Sequence, residues 1–248
     1  MSDLSRYLPL SNRPRHDESD VSSSWNAELA AVLGSLTTAL APLPDADWTT
    51  TSRRPAWTVH DVLAHLAWRL STPRGERWRT SARSLAEQGF SAGAAELAIA
   101  RRAAASADGT PSATVRRLAA MRDTASALAR PSASASASDA SAPTALPTGL
   151  DGTFQNGIGA LAEAVIGALD VAASLGLTIA IPERASGAVA LRRALEAPTE
   201  IKAVVRGRTL AATDADWSFG HGPVLQGTAA EILLFLYERS DTAPRPAA

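Results

Sequence analysis

A single histidine stands beside the apolar stripe of a strongly patterned segment, residues 57–68. Thr58 and Asp61 have the spacing of a capping box, so a helix is predicted to begin there. Apolar residues then recur at helical intervals, which places His65 at the border of the apolar face. A neutral imidazole held there by packing can bind a metal ion. The alternative is a core-edge histidine bonded to a backbone carbonyl, and periodicity alone leaves both open.

Two carboxylates share one side of a later helix, predicted over residues 154–175. That helix is apolar nearly all round, which is typical of a buried helix. Glu163, Gly167 and Asp170 are spaced i, i+4 and i+7 and therefore lie on one side of it. Buried carboxylates need hydrogen bonds, a cationic partner or a metal. The alternative to a metal site is a thin solvated face on which arginines of residues 74–107 cap the acids.

Several packed helices are needed to bring these residues together, and the hydrophobic periodicity predicts such a set. The predicted helices cover residues 22–42, 58–71, part of 74–107, a stretch beginning at Pro111, 154–175 with Gly176 as its C-cap, and 228–239. Short strands are predicted over residues 200–206, 209–213 and 217–219. We therefore expect a mainly α chain, with a helical domain over residues 22–177 and a small α/β domain over residues 178–240.

Three segments are expected to lack a fixed structure because they offer little apolar surface to bury. They are a polar N-terminal arm over residues 1–21, a Ser/Ala/Pro-rich loop over residues 131–148 and a tail over residues 241–248. The middle one interrupts the helical domain and has a low-complexity composition.

The composition excludes several classes of function. The formal net charge is −1, from 24 basic and 25 acidic residues, which gives no electrostatic case for binding nucleic acid or an anionic membrane. The chain has no cysteine, so thiolate metal sites and a protein-borne thiol nucleophile are excluded. Residues 158–177 are long and apolar, but Glu163 and Asp170 would each add roughly 2.5–3.5 kcal/mol to membrane insertion. A buried bundle helix fits this stretch better.

The first residues contain no apolar signal-peptide core, so a cytoplasmic location is expected. Alanine, arginine, aspartate and serine are abundant, whereas Lys202 is the single lysine. That bias suggests a high-GC genome, as in actinobacteria.

A resemblance to a known family rests on residues 57–68, whose sequence is W-T-V-H-D-V-L-A-H-L-A-W. This segment resembles the helix that opens the metal-binding domain of mycothiol-dependent maleylpyruvate isomerases, members of the DinB-like four-helix-bundle superfamily. The resemblance covers residues 22–240. It implies a DinB-like four-helix bundle followed by a small α/β domain similar to sterol carrier proteins.

The resemblance also implies a metal site. In the family, a histidine at the position of His65 is the first zinc ligand, and a glutamate and a histidine four residues later complete the set. An aspartate follows three residues after that histidine. Glu163 and Asp170 match this pattern, but Gly167 stands in place of the second histidine. Asp170 would then be the third ligand, or water would fill the gap, or the metal would be lost. A weakened or absent zinc or other divalent-metal site is expected.

An arginine from the last helix is the remaining site residue that the resemblance implies. Family sequences close that helix with Gly-Arg, and this arginine serves the active site. Arg239 occupies the matching position, although Glu238 replaces the glycine.

Two functions follow as expectations. The first is an isomerase or thiol transferase that uses a divalent metal and mycothiol, whose thiolate attacks a small electrophilic substrate. The second is a non-catalytic family member with a degraded metal site that binds a ligand or a protein.

Overall fold

A computed structural model describes residues 24–106, 109–130 and 154–247 of the chain. The helices are α1 (Asn26–Leu40), α2 (Val59–Ser71), α3 (Arg74–Glu87), α4 (Ala92–Ala104), α5 (Pro111–Ala129), α6 (Ile158–Leu175), α7 (Glu183–Glu196), α8 (Thr199–Val205) and α9 (Ala229–Leu236). The strands are β1 (Thr209–Ala212), β2 (Ser218–Gly220), β3 (Val224–Gly227) and β4 (Arg245–Pro246). The predicted arm over residues 1–21 and loop over residues 131–148 lie outside the described residues.

Four helices form the bundle that was expected. α1 packs against α5 and α6, and α2 packs against the same two helices. Their inward positions carry mostly leucine, valine and alanine, and the core they form is continuous with that of α7 and α9. The fold is therefore a mainly helical bundle with a small C-terminal sheet, as the sequence predicts.

The start of α2 follows its sequence signals closely. Thr58 Oγ1 accepts a hydrogen bond from the Asp61 backbone N–H at 3.1 Å, and Asp61 Oδ2 accepts one from the Thr58 N–H at 2.9 Å. This reciprocal capping box satisfies backbone donors that the first helical turn would otherwise leave unpaired. Just before it, residues 50–59 fold back as a short hairpin, in which Ser52 and Trp57 are bonded. The hairpin holds Arg53 and Arg54 against α6 and α4.

α6 is the apolar helix of the bundle. Its length and composition alone would allow it to cross a membrane, but 61% of it is buried inside the protein. That is the environment of a core helix in a bundle, where apolar side chains pack on all sides. Gly176 ends the helix in the left-handed conformation, with φ of +67°, as the sequence predicts.

The C-terminal region corrects two predictions. Residues 200–206 were expected to be a strand, but Thr199–Val205 is a helix, in which Ile201 and Val205 lie one turn apart and both contact the core. Residues four apart share a face in a helix and in a strand alike, so packing against the core decides which element forms. The expected disorder over residues 241–248 is wrong at Arg245–Pro246, which pairs antiparallel with β3. The open edge of β3 offers backbone groups that this segment satisfies, with Ala247 donating to the Val224 carbonyl at 3.0 Å.

The sheet has the strand order β2-β1-β3-β4. β1 is antiparallel to β2 and parallel to β3. α9 begins directly after β3 with a second capping box, between Thr228 and Glu231. Both α7 and α9 pack against α6, and these contacts join the C-terminal region to the bundle.

Candidate functional site

A cavity of about 630 Å³ lies between the bundle and the C-terminal region. All four site residues predicted from the sequence line it, namely His65, Glu163, Asp170 and Arg239. The lining includes seven arginines against five carboxylates, so its formal charge is +2 with His65 neutral. The volume falls within the range of small-molecule sites, whereas the many charged groups set this cavity apart from the mostly apolar lining that such sites usually have.

His65 is 7% exposed and sits between two tryptophans. Trp57 meets its ring edge-on, with centroids 5.2 Å apart, and Trp68 stacks on it at 5.7 Å. Burial lowers the pKa of His65 to about 3, and the positive charges of Arg54, Arg69 and Arg239 add to this effect. The imidazole is therefore neutral at physiological pH. No residue in the described ranges hydrogen-bonds to its ring, so the core-edge alternative with a backbone carbonyl partner is not what the structure shows.

Glu163 pairs with an arginine of α2. Arg69 Nη2 donates to Glu163 Oε1, and the two side chains are exposed to a similar extent, 34% and 35%. Arg69 follows His65 by one helical turn, so both project toward the cavity. Sequence analysis considered a cationic partner for this acid but placed it in residues 74–107. The partner instead comes from the helix that carries His65.

Asp170 is held by a different set of groups. It is 1% exposed, and its Oδ1 accepts hydrogen bonds from the Arg53 backbone N–H at 2.8 Å and from Ser174 Oγ at 3.3 Å. Its Oδ2 lies 3.7 Å from Arg239 Nε. Burial raises the pKa of Asp170, while the Arg53 N–H and the charge of Arg239 act in the opposite direction. This carboxylate thus connects the hairpin before α2, the bundle and the segment after α9.

Arg239 reaches the cavity because of how α9 ends. The Glu238 N–H donates to the Phe235 carbonyl at 3.0 Å, and the Arg239 N–H donates to the Leu234 carbonyl at 2.8 Å. These two bonds form a Schellman motif, which needs a left-handed residue at the position of Glu238. Glu238 adopts φ of +58° there. The glycine that the resemblance implies is therefore replaced without loss of the turn.

The candidate metal ligands do not fit a catalytic divalent site. Such sites use three protein ligands, and the described residues contain no group of three histidine, cysteine or carboxylate side chains that would hold an ion. Glu163 is engaged by Arg69, and Asp170 by Arg53 and Ser174. A Cβ atom added at Gly167 would lie 3.3 Å from Leu66 Cδ2, so the leucine side chain already fills the adjacent space.

Of the seven arginines that line the cavity, only Arg239 was singled out from the sequence. Besides Arg69, the cavity contains Arg54, which stacks over Trp57 with its guanidinium carbon 3.6 Å from the ring centroid. It also contains Arg77, which donates to the Arg69 carbonyl at 3.2 Å and to Gln155 Oε1 at 3.3 Å. Only Arg69 had a local signal, its spacing of four residues from His65 on a predicted helix.

Comparisons with known proteins identify the family. The sequence model of the mycothiol maleylpyruvate isomerase N-terminal domain matches residues 29–172. A crystal structure of the mycothiol-dependent maleylpyruvate isomerase is similar at 15% sequence identity and a TM-score of 0.44, over 90% of this chain and 91% of that chain. No curated protein sequence matches the chain. Because the matched domain spans more than half of the chain, this protein belongs to the mycothiol maleylpyruvate isomerase N-terminal domain family.

Proposed function

We propose that this chain is a family member whose cleft binds a small anionic molecule without a divalent metal. The observation that carries the proposal is the pairing of Arg69 with Glu163. A carboxylate that neutralises a guanidinium is a poor ligand for a cation, and the guanidinium itself repels one. Gly167 removes the other side chain that the family would use.

An anionic ligand is supported by unsatisfied donors. The buried Nε atoms of Arg69, Arg77 and Arg239 have no hydrogen-bond partner among the described residues, and all three arginines line the cavity. Leaving a buried donor unpaired costs about 1–3 kcal/mol, more for a charged group. A carboxylate or similar planar anion satisfies such donors, because guanidinium groups bind it with paired N–H bonds.

A metal-dependent thiol enzyme is the second candidate function. His65 and Glu163 line the same cavity, and the neutral, unbonded imidazole is in the state that ligates a metal. In this candidate the partners are mycothiol and an electrophilic substrate, and the protein works in the cytoplasm. A bound metal would lower the pKa of the thiol, which is about 8.5 when unperturbed.

Zinc titration separates the two candidates. Protein purified without chelators or a metal-binding tag is analysed for metal content, and zinc is titrated into it by calorimetry. We expect less than about one-tenth of an equivalent of bound metal per chain. We also expect no saturable heat of zinc binding, because the described residues lack a set of three ligands. Stoichiometric metal, or turnover of maleylpyruvate with mycothiol that zinc stimulates, would favour the second candidate.

Thermal melts test the anionic ligand. Maleate is used as the probe, and its uncharged diamide is the control of similar shape. Maleate should raise the Tm in a concentration-dependent way, since a ligand that binds the folded state stabilises it. The diamide should not. Arg77→Gln should weaken the maleate effect, whereas Arg208→Gln, at an exposed position outside the cavity, should leave it unchanged. Equal effects of maleate and diamide would contradict an anion site.

A further inference from the structure

Two pairs of residues face each other across α2 and α6. In the first pair, Leu66 of α2 faces Gly167 of α6, and in the second, Arg69 faces Glu163. The two pairs are one helical turn apart on each helix, and His65 adjoins the first pair in sequence. A metal held by His65, Glu163 and a side chain at position 167 would have to lie between them.

We propose that the Arg69 guanidinium replaces the metal of this site as its resident cation. The inference rests on the proposed metal-free function and adds its cause. The missing ligand at Gly167 and the arginine at position 69 are two parts of one replacement: the first removes a donor, and the second neutralises Glu163. Either change alone would leave a site that a single substitution could restore.

The position of the guanidinium supports this role. Its Nη2 binds Glu163, its Nε is buried and without a hydrogen-bond partner in the described structure, and the residue lines the cavity. The arginine therefore presents a fixed positive charge to the cavity, where a metal would present its own charge. A ligand anion can be attracted to this charge without any ion being recruited.

The proposal predicts that two substitutions are needed together to restore metal binding. Gly167→His supplies the third ligand, and Arg69→Met frees Glu163 while keeping a side chain of similar length. Zinc is titrated calorimetrically into the parent, each single variant and the double variant, with circular dichroism to verify folding. We expect the double variant to bind zinc at least about a hundredfold more tightly than either single variant, because it alone completes the ligand set.

Arg54 provides the matched control. It also lines the cavity and is also ion-paired, but with Glu96 rather than Glu163. Arg54→Met combined with Gly167→His removes the same charge from the cavity and leaves Arg69 in place. This variant should bind zinc no better than Gly167→His alone. If it matches the Arg69→Met double variant, general charge rather than occupancy of Glu163 excludes the metal, and the proposal is wrong.

Two further results would contradict the proposal that Arg69 replaces the metal. One is a Gly167→His single variant that binds zinc as tightly as the double variant. The other is a folded double variant that does not bind zinc even after Leu66→Ala relieves the contact at position 167. Zinc binding by the parent protein tests the metal-free function separately. Tight binding by the parent would contradict that function, whatever the variants do.

Discussion

Glu163 and Asp170 are two carboxylates on one helix and one cavity wall, yet the structure treats them differently. Asp170 is almost fully buried and is bound by a backbone N–H, a hydroxyl and a nearby guanidinium from three parts of the chain. Glu163 is about one-third exposed and is bound by a single side chain, that of Arg69. Asp170 therefore holds three segments of the chain together, whereas Glu163 lines the cavity with a single side-chain partner.

This difference shows which kind of site residue is easily changed during divergence. An acid whose partners are backbone groups cannot be altered without disturbing the loops that supply them. An acid with one side-chain partner needs only one compensating substitution. Under the proposed replacement of the metal by Arg69, the cleft would change its resident cation while the contacts of Asp170 stay intact.

Replacing Asp170 should give the largest effect. Asp170→Ala leaves the buried Arg53 N–H without its acceptor and the guanidinium of Arg239 without its counter-ion. We expect a loss of about 3–5 kcal/mol in the free energy of unfolding, as for other broken buried pairs. Urea denaturation measures it. Glu163→Ala is the control on the same helix, and an equal loss there would abolish the distinction between the two acids.

His65, which lines the same cavity as the two acids, should make stability depend on pH. Its pKa is about 3 in the folded protein and 6.5 in the unfolded chain. The unfolded chain therefore binds more protons between these values, so this contribution is fully present above pH 6.5 and is lost as the pH falls. From pH 7 to pH 5 the loss should be about 2 kcal/mol.

The His65→Phe variant isolates that contribution, because a phenyl ring keeps the packing against Trp57 and Trp68 but cannot titrate. Denaturation of both proteins at pH 7 and pH 5 gives the difference. Parallel losses in parent and variant would show that His65 titrates normally and is not buried as described.

Relieving the left-handed backbone conformation of Glu238, the residue before Arg239, should stabilise the protein. Glu238→Gly removes the strain of a side chain at φ of +58°, with a gain of about 1 kcal/mol. Glu238→Ala keeps the strain and loses the same 3.5 Å ion pair with Arg193, so it should give no gain. Tm measurements on both variants decide whether the Schellman turn is strained.

Removing only the charge at Glu163 should give the smallest effect. Glu163→Gln keeps the shape and weakens the pairing with Arg69. Because both side chains are about one-third exposed, the change in unfolding free energy should be about 0–1 kcal/mol. The same denaturation series measures it. A loss as large as that of Asp170→Ala would make Glu163 an architectural residue as well.

Structural features that depend only on residues close together in the chain could be predicted from the sequence. The Thr58–Asp61 capping box, the apolar face of α2 and the Gly176 C-cap depend on neighbouring residues and are observed as expected. The sequence also predicts that His65, Glu163, Asp170 and Arg239 belong together, by way of family resemblance, and all four line one cavity.

The remaining features depend on contacts between distant segments. The pairing of Arg69 with Glu163 joins residues 94 positions apart, and that of Arg53 with Asp170 joins residues 117 apart. Periodicity carries no information on such pairs. The helix over residues 199–205 was missed for a related reason: a segment of only seven residues is too short to distinguish the two periods, and packing against the core decides.

The Schellman turn after α9 has a consequence for how this protein can be recombined. Arg239 is encoded in the last tenth of the chain but completes a cavity whose lining begins at Arg54, in the first quarter. A chimera that joins this bundle to another C-terminal region would keep its helices and lose that part of the lining. The two parts of the chain are therefore inherited usefully only as a unit, and the boundary between them is a poor crossover point for shuffling.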